Sequence, residues 1–352
     1  MKIKNFERLF VNSDATLRDG ISIIENGQLK IALVINDNKE LIGILSDGDV
    51  RRGLLKNVSL DDSVCHAMNS NFICSRDSSD INEIYSLMER KSILQVPILS
   101  KTNNVVELFV HKTLTNKEKI LISNPVVLMA GGKGKRLRPL TENCPKPMLK
   151  VNGKPILEIL IEKLSESGFK NFYLSVNYLK EQIMDFFEDG TSRGVNIKYL
   201  IEEKPLGTAG SLTLLPDSVK EPILVMNADV LTKFNPVDLL RFHKKNNAQA
   251  TLAVHQSEIK IPFGVVKTKG IDLLEFQEKP SQVHTVNAGV YIINPNMIKD
   301  LERDKMIDMP NVLQDGLKKN YRVIVCPIHE YWIDIGMPDK LSQVALDMGN
   351  NI

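Results

Sequence analysis

The chain has 352 residues, which is enough for two domains of ordinary size. Its 45 basic and 43 acidic residues leave a net charge of +2, a balance that argues against a protein whose main partner is nucleic acid. The apolar runs are too short to span a bilayer, the first eight residues form no export signal, and the four cysteines are scattered as in proteins with reduced thiols. We therefore expect a cytoplasmic protein that binds neither membranes nor polymeric nucleic acid.

The first 120 residues contain an internal repeat. A helical pattern at 16–24 is followed by an apolar run at 31–35, a polar turn and a second apolar run at 41–45. The pattern returns 64 residues later, where Leu17 corresponds to Ile81 and Val34 to Ile98. A helix and hairpin that occur twice form a small α+β unit in which each copy buries the open face of the other.

This repeat resembles the paired CBS module, a regulatory domain that often binds adenine nucleotides, and the resemblance is strongest at residues 43–52. It implies that Ser46 faces a phosphate and Asp49 a ribose, which suits a hydroxyl and a carboxylate. The second copy has other residue types at the positions equivalent to 43, 46 and 49, namely Glu107, Val110 and Thr113. At most one nucleotide site is predicted, and a structural or dimerising module with a solvated turn is an equally good interpretation.

The residues after 121 follow a different pattern. Apolar runs alternate with helical patterns, as is typical of a mainly parallel α/β sheet. The segment 115–119 is polar and unpatterned, so we place the boundary beside it and predict domains at 1–121 and 122–352.

The apolar run 126–129 leads directly into a loop rich in glycine and basic residues, 130–141. Glycines let successive backbone N–H groups approach one anion, and a phosphate ligand is expected after the first strand of an α/β domain. The loop lacks both the dinucleotide fingerprint and the Walker pattern. Taken alone, it could also be a flexible basic turn.

A lysine follows this loop: Lys146 lies between two prolines in the segment 145–149. Because prolines restrict the backbone, we expect this lysine to be held in a fixed position. Together the segments 131–141 and 145–149 resemble the signature of the sugar-1-phosphate nucleotidyltransferases, and the resemblance extends to about residue 339. It implies a Rossmann-like domain with a mixed, mainly parallel sheet. It also implies that Arg136 holds a triphosphate, that Lys146 stabilises charge on the reacting phosphates, and that the nucleotide lies on the backbone of Gly131, Gly132 and Gly134.

Two aspartates follow apolar segments. Asp229 ends the run that starts at residue 222, and Asp334 lies in the apolar segment 331–338. Mg²⁺ bound to nucleotide phosphates takes one or two protein carboxylates, so two aspartates are the right number. Each could instead cap a helix or form a turn. The family resemblance implies that both bind Mg²⁺.

The segment 199–210 resembles the base-recognition segment of the same family. Glu202 takes the position of the base-reading side chain, with Gly207 and Thr208 close by. A carboxylate accepts from the two adjacent donors of guanine but meets a repulsive carbonyl on uracil or thymine, so Glu202 favours GTP. A uridylyl- or thymidylyltransferase, and a solvated charged turn at 202–204, are the alternatives.

Three later segments resemble the sugar-phosphate site of the family. By that resemblance Glu278 accepts from sugar hydroxyls, Lys279 neutralises the sugar phosphate, Asn287 binds further hydroxyls and Gly264 leaves room for the ring. Turn-forming glycines and a surface ion pair between Glu278 and Lys279 are the alternative interpretation.

The combination of a CBS pair with a short guanylyltransferase domain resembles the glucosamine-1-phosphate guanylyltransferases of legionaminic acid biosynthesis. It implies transfer of GMP from GTP to glucosamine 1-phosphate, with release of pyrophosphate, in a homo-oligomer that supplies a nucleotide sugar for a surface glycan. Mannose 1-phosphate and heptose 1-phosphate are alternative acceptors. A non-catalytic nucleotide sensor is an alternative of another class, and we expect such a protein to lack one of Arg136, Lys146, Asp229 and Asp334, all of which are present.

Overall fold

The computed structural model describes residues 2–3, 5–27, 29–76, 81–91, 93–111 and 121–349. The chain divides into two compact units, residues 1–118 and 119–352. Thr113 and the polar segment 115–119 lie outside the described residues, so the boundary between residues 121 and 122 stays a prediction. None of the described helices is long and apolar enough to cross a membrane.

The N-terminal unit contains two helix–hairpin repeats. Its elements in chain order are β1 (Lys2–Ile3), β2 (Phe10–Asn12), α1 (Leu17–Gly27), β3 (Ile31–Ile35), β4 (Leu41–Ser46), α2 (Asp47–Leu55), β5 (Ser75–Arg76), α3 (Ile81–Lys91), β6 (Gln95–Leu99) and β7 (Val105–Val110). One sheet has the order β2–β3–β4 and the other β1–β7–β6–β5. Leu33 of the first repeat and Leu108 of the second lie in one buried apolar cluster, so each repeat covers the other as the sequence predicts.

The C-terminal unit is built on a seven-stranded sheet. The strands of this unit, seven of which form that sheet, are β8 (Val126–Met129), β9 (Lys150–Val151), β10 (Lys154–Pro155), β11 (Asn171–Val176), β12 (Asn196–Ile201), β13 (Ile223–Asn227), β14 (Val230–Thr232), β15 (Ala250–Lys260), β16 (Val265–Lys269), β17 (Asp272–Gln277), β18 (Ser281–Ile293), β19 (Val323–Ile328) and β20 (Trp332–Asp334). Its helices are α4 (Ile156–Glu166), α5 (Lys180–Phe187), α6 (Pro236–Lys245), α7 (Met309–Lys318) and α8 (Pro338–Gly349).

The large sheet has the order β12–β11–β8–β13–β18–β15–β19, and β18 alone runs antiparallel to its two neighbours. Alternate residues of β8 lie in different apolar clusters: Val126 and Leu128 in one, Val127 in the other. Because side chains of a strand alternate between faces, both faces of the sheet are covered. The predicted mixed, mainly parallel sheet is confirmed.

This topology gathers loops at one edge of the sheet. The neighbouring strands β12, β11, β8 and β13 are parallel, so their carboxyl ends lie side by side. Ligands of open α/β sheets bind outside such carboxyl ends. The loop 130–141 follows β8, Glu202 follows β12 and Asp229 follows β13, so all three are delivered to the same edge.

Candidate active site

The glycine-rich loop turns tightly where it meets the lysine segment. Gly134 has a φ of +59°, and a Cβ there would lie 2.9 Å from Cγ2 of Thr141 and 3.0 Å from Cβ of Lys146. The Thr141 hydroxyl donates a hydrogen bond of 2.9 Å to the Gly134 carbonyl. A side chain at position 134 would therefore push the loop away from Lys146. Around Gly132 the space is open, which leaves its backbone accessible to a ligand.

Lys146 is the centre of the charged cluster at this edge. The residue is only 8 % exposed, and its Nζ donates to Oδ2 of Asp229 and lies 4.0 Å from Oδ1 of Asp334. Pro145 precedes the 3₁₀ turn that begins at Lys146 and Pro147 lies within it, so the backbone that carries the lysine is stiff. The structure thus brings together three of the predicted site residues.

The strand pair β14–β20 brings the two aspartates together, because Asp229 immediately precedes β14 and Asp334 ends β20. In the antiparallel pair β14–β20, Val230 lies opposite Asp334, and the backbone N–H of Ile335 donates to the carbonyl of Asp229 at 2.9 Å. Each carboxylate has one buried oxygen, Oδ1, without a hydrogen-bond partner among the described residues. Burial, followed by the charge of Asp229, raises the pKa of Asp334, and the cations Lys146 and Arg136 oppose this effect.

The orphaned oxygens allow a test of whether the predicted metal fits. Buried polar atoms are normally hydrogen-bonded, and an unsatisfied one costs about 1–3 kcal/mol, so these two orphaned oxygens are candidate ligands for a bound cation. Oxygen ligands are what Mg²⁺ prefers, and it completes its octahedron with water and phosphate. The described residues contain no cluster of three or more metal-binding side chains, so a cation here would need such outside ligands. The donor set fits Mg²⁺.

Arg136 lies beside the same cluster. A Cβ at Gly336 would be 3.3 Å from Nη2 of Arg136 and 3.2 Å from Oδ1 of Asp334, so both groups approach the same glycine. The Arg136 side chain starts from an exposed position of the loop. It therefore supplies a second positive charge at the edge where a polyphosphate would lie.

Glu202 is buried below the glycine loop, at 5 % exposure. Ser175 donates its hydroxyl to Oε1 and the backbone N–H of Leu206 donates to Oε2 at 2.9 Å. A Cβ on residue 131 would lie only 2.9 Å from Oε1, so only a glycine fits against this side of the carboxylate. Each oxygen of a carboxylate can accept two hydrogen bonds, which leaves one acceptor position on each.

Sequence reasoning missed Ser175, although a signal was present. It is the only serine in the mainly apolar strand β11, directly before the last residue of the strand, and it is fully buried. A polar residue that is buried in this position needs a partner, and here the partner is Glu202.

Gly207 and Thr208 are tied to the segment before α7. Gly207 has a φ of +78°, and a Cβ there would lie 2.6 Å from the carbonyl oxygen of Ile307. Both the N–H and the hydroxyl of Thr208 donate to Oδ1 of Asp308, at 3.0 and 3.3 Å, and the same hydroxyl accepts from the N–H of Met309. These contacts hold the segment next to Glu202 in place.

The predicted sugar-phosphate residues are less enclosed. Glu278 and Lys279 are exposed, with 3.8 Å between Nζ and Oε1. Asn287 donates to the Tyr291 hydroxyl at 2.7 Å and accepts from the N–H of Gly289 at 2.8 Å. Both ends of the Asn287 amide therefore have partners within its own segment.

Trp332 connects the sugar segment with the aspartates. Its Nε1 donates to the carbonyl of Ala288 at 2.9 Å, and its ring stacks on His255 with 5.3 Å between centroids. Trp332 lies two residues before Asp334 on β20, and Ala288 follows Asn287 on β18. One indole thus joins the strand of a predicted metal ligand to the segment of a predicted sugar ligand.

The predicted nucleotide residues of the N-terminal unit have a structural role. Ser46 caps α2: its hydroxyl accepts from the N–H of Asp49, whose side chain accepts in return from the Ser46 N–H at 2.9 Å. Oδ1 of Asp49 pairs with Nη2 of Arg52 at 2.5 Å. Both oxygens of this buried carboxylate are occupied within the protein.

Two family models match the chain. The model described as nucleotidyl transferase matches residues 125–351, and the model described as CBS domain matches residues 5–56. The first match covers well over half of the chain. The second covers the first of the two N-terminal repeats.

Named relatives match a stretch of this chain that is about as long as the C-terminal unit. Mannose-1-phosphate guanyltransferase of Yarrowia lipolytica is 34 % identical over 230 residues, which are 62 % of this chain and 63 % of that protein. D-glycero-alpha-D-manno-heptose 1-phosphate guanylyltransferase of Campylobacter jejuni is 33 % identical over 215 residues, 60 % of this chain and 95 % of that protein. The chain thus spans less than two thirds of the length of the yeast relative.

A solved structure shows the same fold. HddC from Yersinia pseudotuberculosis superimposes with a TM-score of 0.52 at 24 % identity, covering 64 % of this chain and 99 % of that one. This coverage corresponds to the size of the C-terminal unit.

Proposed function

This chain belongs to the nucleotidyl transferase family, and we propose that it transfers GMP from GTP to a sugar 1-phosphate. The observation that carries the proposal is the cluster of Lys146 with Asp229 and Asp334 at the edge of the sheet where the glycine loop ends. A cation, two acidic groups with orphaned oxygens and an accessible backbone are what a triphosphate and its metal require.

The proposed reaction is a single in-line displacement. A phosphate oxygen of the sugar 1-phosphate attacks the α-phosphorus of GTP; a new P–O bond forms as the bond to the bridging oxygen breaks, and pyrophosphate leaves with that oxygen. No proton has to be moved by a side chain. The protein contributes positioning and charge stabilisation: the loop amides and Arg136 hold the triphosphate, and Lys146 lies where negative charge develops.

Asp229 and Asp334 would hold Mg²⁺. When bound, the ion would neutralise phosphate charge and orient the phosphates. The aspartates' own contribution is geometric, because Asp229 immediately precedes β14 and Asp334 ends β20, and this strand pair brings both carboxylates within 4.0 Å of Lys146 Nζ.

Guanine is the proposed base, read by Glu202. Supporting this, both relatives described above are named as guanylyltransferases. The Ser175 hydroxyl and the Leu206 N–H hold the carboxylate in one orientation, and one acceptor position remains on each oxygen for the two adjacent donors of guanine. Gly207 and Thr208 would support the same base. UTP or dTTP is the alternative nucleotide.

As the acceptor we propose a manno-configured sugar 1-phosphate, because the names of the two relatives contain mannose 1-phosphate and a manno-heptose 1-phosphate. Glucosamine 1-phosphate, and a role in legionaminic acid biosynthesis, stay predictions from the domain combination. The residues proposed to bind the sugar phosphate are Gly264, Glu278, Lys279 and Asn287. An adenine nucleotide at Ser46 and Asp49 is the corresponding proposal for the N-terminal unit.

A pyrophosphate-release screen tests the function. GTP, UTP, dTTP, CTP and ATP are each combined with mannose, heptose and glucosamine 1-phosphates in the presence of Mg²⁺, and we expect release only with GTP. Lys146→Met is the inactive control. Release confined to UTP or dTTP would contradict the role of Glu202, while GTP binding without turnover of any acceptor would support the non-catalytic sensor.

A further inference from the structure

The loop that follows the base-reading position is packed against a second segment far along the chain. We define the base loop as residues 206–210 and the clamp segment as residues 305–309, which ends on the first residue of α7. Ile307 of the clamp segment donates its N–H to the carbonyl of Leu206 at 2.9 Å, and its own carbonyl accepts from the N–H of Ala209 at 2.9 Å. Backbone hydrogen bonds therefore join the two segments.

Two glycines of the base loop let the segments approach each other closely. A Cβ on Gly207, whose φ is +78°, would lie 2.6 Å from the carbonyl oxygen of Ile307. A Cβ on Gly210 would lie 2.5 Å from the carbonyl oxygen of Lys305. Side-chain carbons do not come so near to a backbone oxygen, so any other residue at either position would force the segments apart. The position of the base loop therefore depends on the position of the clamp segment.

The side chain of Asp308 adds a contact that departs from the usual behaviour of its position. Asp308 is the N-cap residue of α7, where an Asp side chain usually accepts from the N–H of the second or third helical residue. The second helical residue is Pro310, which has no N–H, and the Asp308 side chain makes no capping bond. It accepts instead from the N–H and the hydroxyl of Thr208, at 3.0 and 3.3 Å. The Thr208 hydroxyl in turn accepts from the N–H of Met309 at 2.8 Å, so the base loop caps the helix.

These contacts reach Glu202 through Leu206. The N–H of Leu206 donates to Oε2 of Glu202 at 2.9 Å, while its carbonyl accepts from Ile307, the neighbour of Asp308. Leu206 is thus held by the clamp segment on one side and orients the carboxylate on the other. Two adjacent donors on a base need both carboxylate oxygens in place at once. A carboxylate that is free to rotate therefore loses the advantage that two donors have over one.

We propose that Asp308 is a positioning residue for base recognition, which holds the base loop so that Leu206 fixes the Glu202 carboxylate for two donors at once. This rests on the proposed function, because it takes Glu202 as the residue that reads the base. The consequence is selectivity between guanine and hypoxanthine. Hypoxanthine keeps the ring N–H of guanine but lacks the adjacent amino group, so it offers one donor where guanine offers two.

Calorimetric titration of the full chain with GTP and with inosine triphosphate, in the presence of Mg²⁺, measures this selectivity. We expect the wild type to bind GTP at least about tenfold more tightly, since the inosine nucleotide lacks one charge-assisted hydrogen bond. Asp308→Ala should lower the ratio of the two dissociation constants at least about threefold, mainly by weakening the binding of GTP. A wild type that binds both nucleotides equally, or a ratio that Asp308→Ala leaves unchanged, would overturn the proposal.

Two further variants separate positioning from general destabilisation. Asp308→Asn keeps an oxygen that can accept both bonds from the base loop, so it should retain the wild-type ratio within about twofold. Asp315→Ala is the matched control, because it removes another exposed aspartate of α7, one that pairs with Lys318 at 2.9 Å. This control should leave the ratio unchanged. Equal losses of selectivity in Asp315→Ala and Asp308→Ala would assign the effect to the whole helix and would also overturn the proposal.

Hydrogen exchange of the full chain without any nucleotide tests the clamp itself. The amides of Leu206, Ala209 and Gly210 are hydrogen-bonded, the first to Glu202 and the other two to the clamp segment. Asp308→Ala should speed their exchange at least about fivefold, whereas Asp315→Ala should not. Unchanged exchange in Asp308→Ala would contradict the positioning role. Failure of the proposed function would look different: the wild-type chain would not bind GTP, while the effect of Asp308→Ala on exchange would persist.

Discussion

Asp49 of the N-terminal unit and Asp334 of the C-terminal unit were both predicted to meet a nucleotide or its metal, yet their surroundings differ in kind. Asp49 is 6 % exposed, and its oxygens accept from Ser46 and Arg52. Asp334 has a buried oxygen that accepts from nothing in the described chain. Capping of α2 accounts for the first carboxylate, whereas the buried oxygen of the second lies 4.0 Å from Nζ of Lys146, which is too far for a hydrogen bond. Of these two predicted site residues, only Asp334 therefore has an unsatisfied oxygen to offer a ligand.

The largest effect that this comparison predicts is on catalysis. Asp334→Asn keeps the shape but removes the charge that Mg²⁺ would need, so the rate of pyrophosphate release should fall by roughly 10²–10³-fold. The midpoint of thermal unfolding should not fall, because burial and Asp229 already disfavour the ionised form and raise the pKa of Asp334. A variant that is unstable but retains its rate would show that Asp334 is a structural residue like Asp49.

Trp332→Phe tests whether the sugar segment depends on the aspartate strand. The change removes the N–H that binds the Ala288 carbonyl, a contact worth about 1 kcal/mol, so KM for the sugar 1-phosphate should rise about fivefold with kcat nearly constant. Tyr331→Phe is the control, because the adjacent hydroxyl donates to Asp347 instead. Equal KM in both variants would contradict the link.

Asp49→Ala should affect stability without affecting the reaction. Loss of the capping box should destabilise α2 by about 1 kcal/mol, measured as faster hydrogen exchange of the α2 amides in the full chain. Asp61→Ala, which removes an exposed ion pair with Arg18, is the control and should change exchange little. If AMP, ADP or ATP slows exchange in the wild type but not in Asp49→Ala, then Asp49 also binds a nucleotide, and the conclusion that its role is only structural is wrong.

The smallest expected effect is on the pH dependence of stability, and it comes from His243, a buried histidine of the C-terminal unit whose two ring nitrogens both have hydrogen-bond partners. The ring of His243 bonds to Thr251 at 2.9 Å and to Asn294 at 3.1 Å, and burial lowers its pKa below the ordinary 6.5. The unfolded chain then binds more protons than the folded chain just below pH 6.5, so the free energy of unfolding should fall as the pH falls through that range, by less than about 1.4 kcal/mol per pH unit. His243→Gln should reduce this dependence in urea titrations; an unchanged dependence would assign it to other groups.

Much of the fold followed from local patterns. The apolar pattern of the first repeat recurs with Ile81 at the position of Leu17, which predicted two equivalent helix–hairpin units. Wholly apolar runs such as 126–129 predicted strands that are covered on both faces. Such patterns are readable because burial on one or two faces imposes its own period on the sequence. The exposed strand pair at residues 256–285 was not predicted, because these residues alternate like an ordinary half-buried strand pair and only the structure shows that most of them are exposed.

The sequence by itself determined which chemical groups are present: the glycine-rich loop, the lysine between prolines and two aspartates behind apolar strands. These features are local, so their spacing along the chain is enough to identify them. It could not determine which polar atoms have partners, because partners come from distant segments. Lys146 and Asp229 meet across 83 residues, and Ser175 meets Glu202 across 27. Only the tertiary structure decided that Asp49 is satisfied and Asp334 is not, since satisfaction depends on which atoms the fold brings within hydrogen-bond distance.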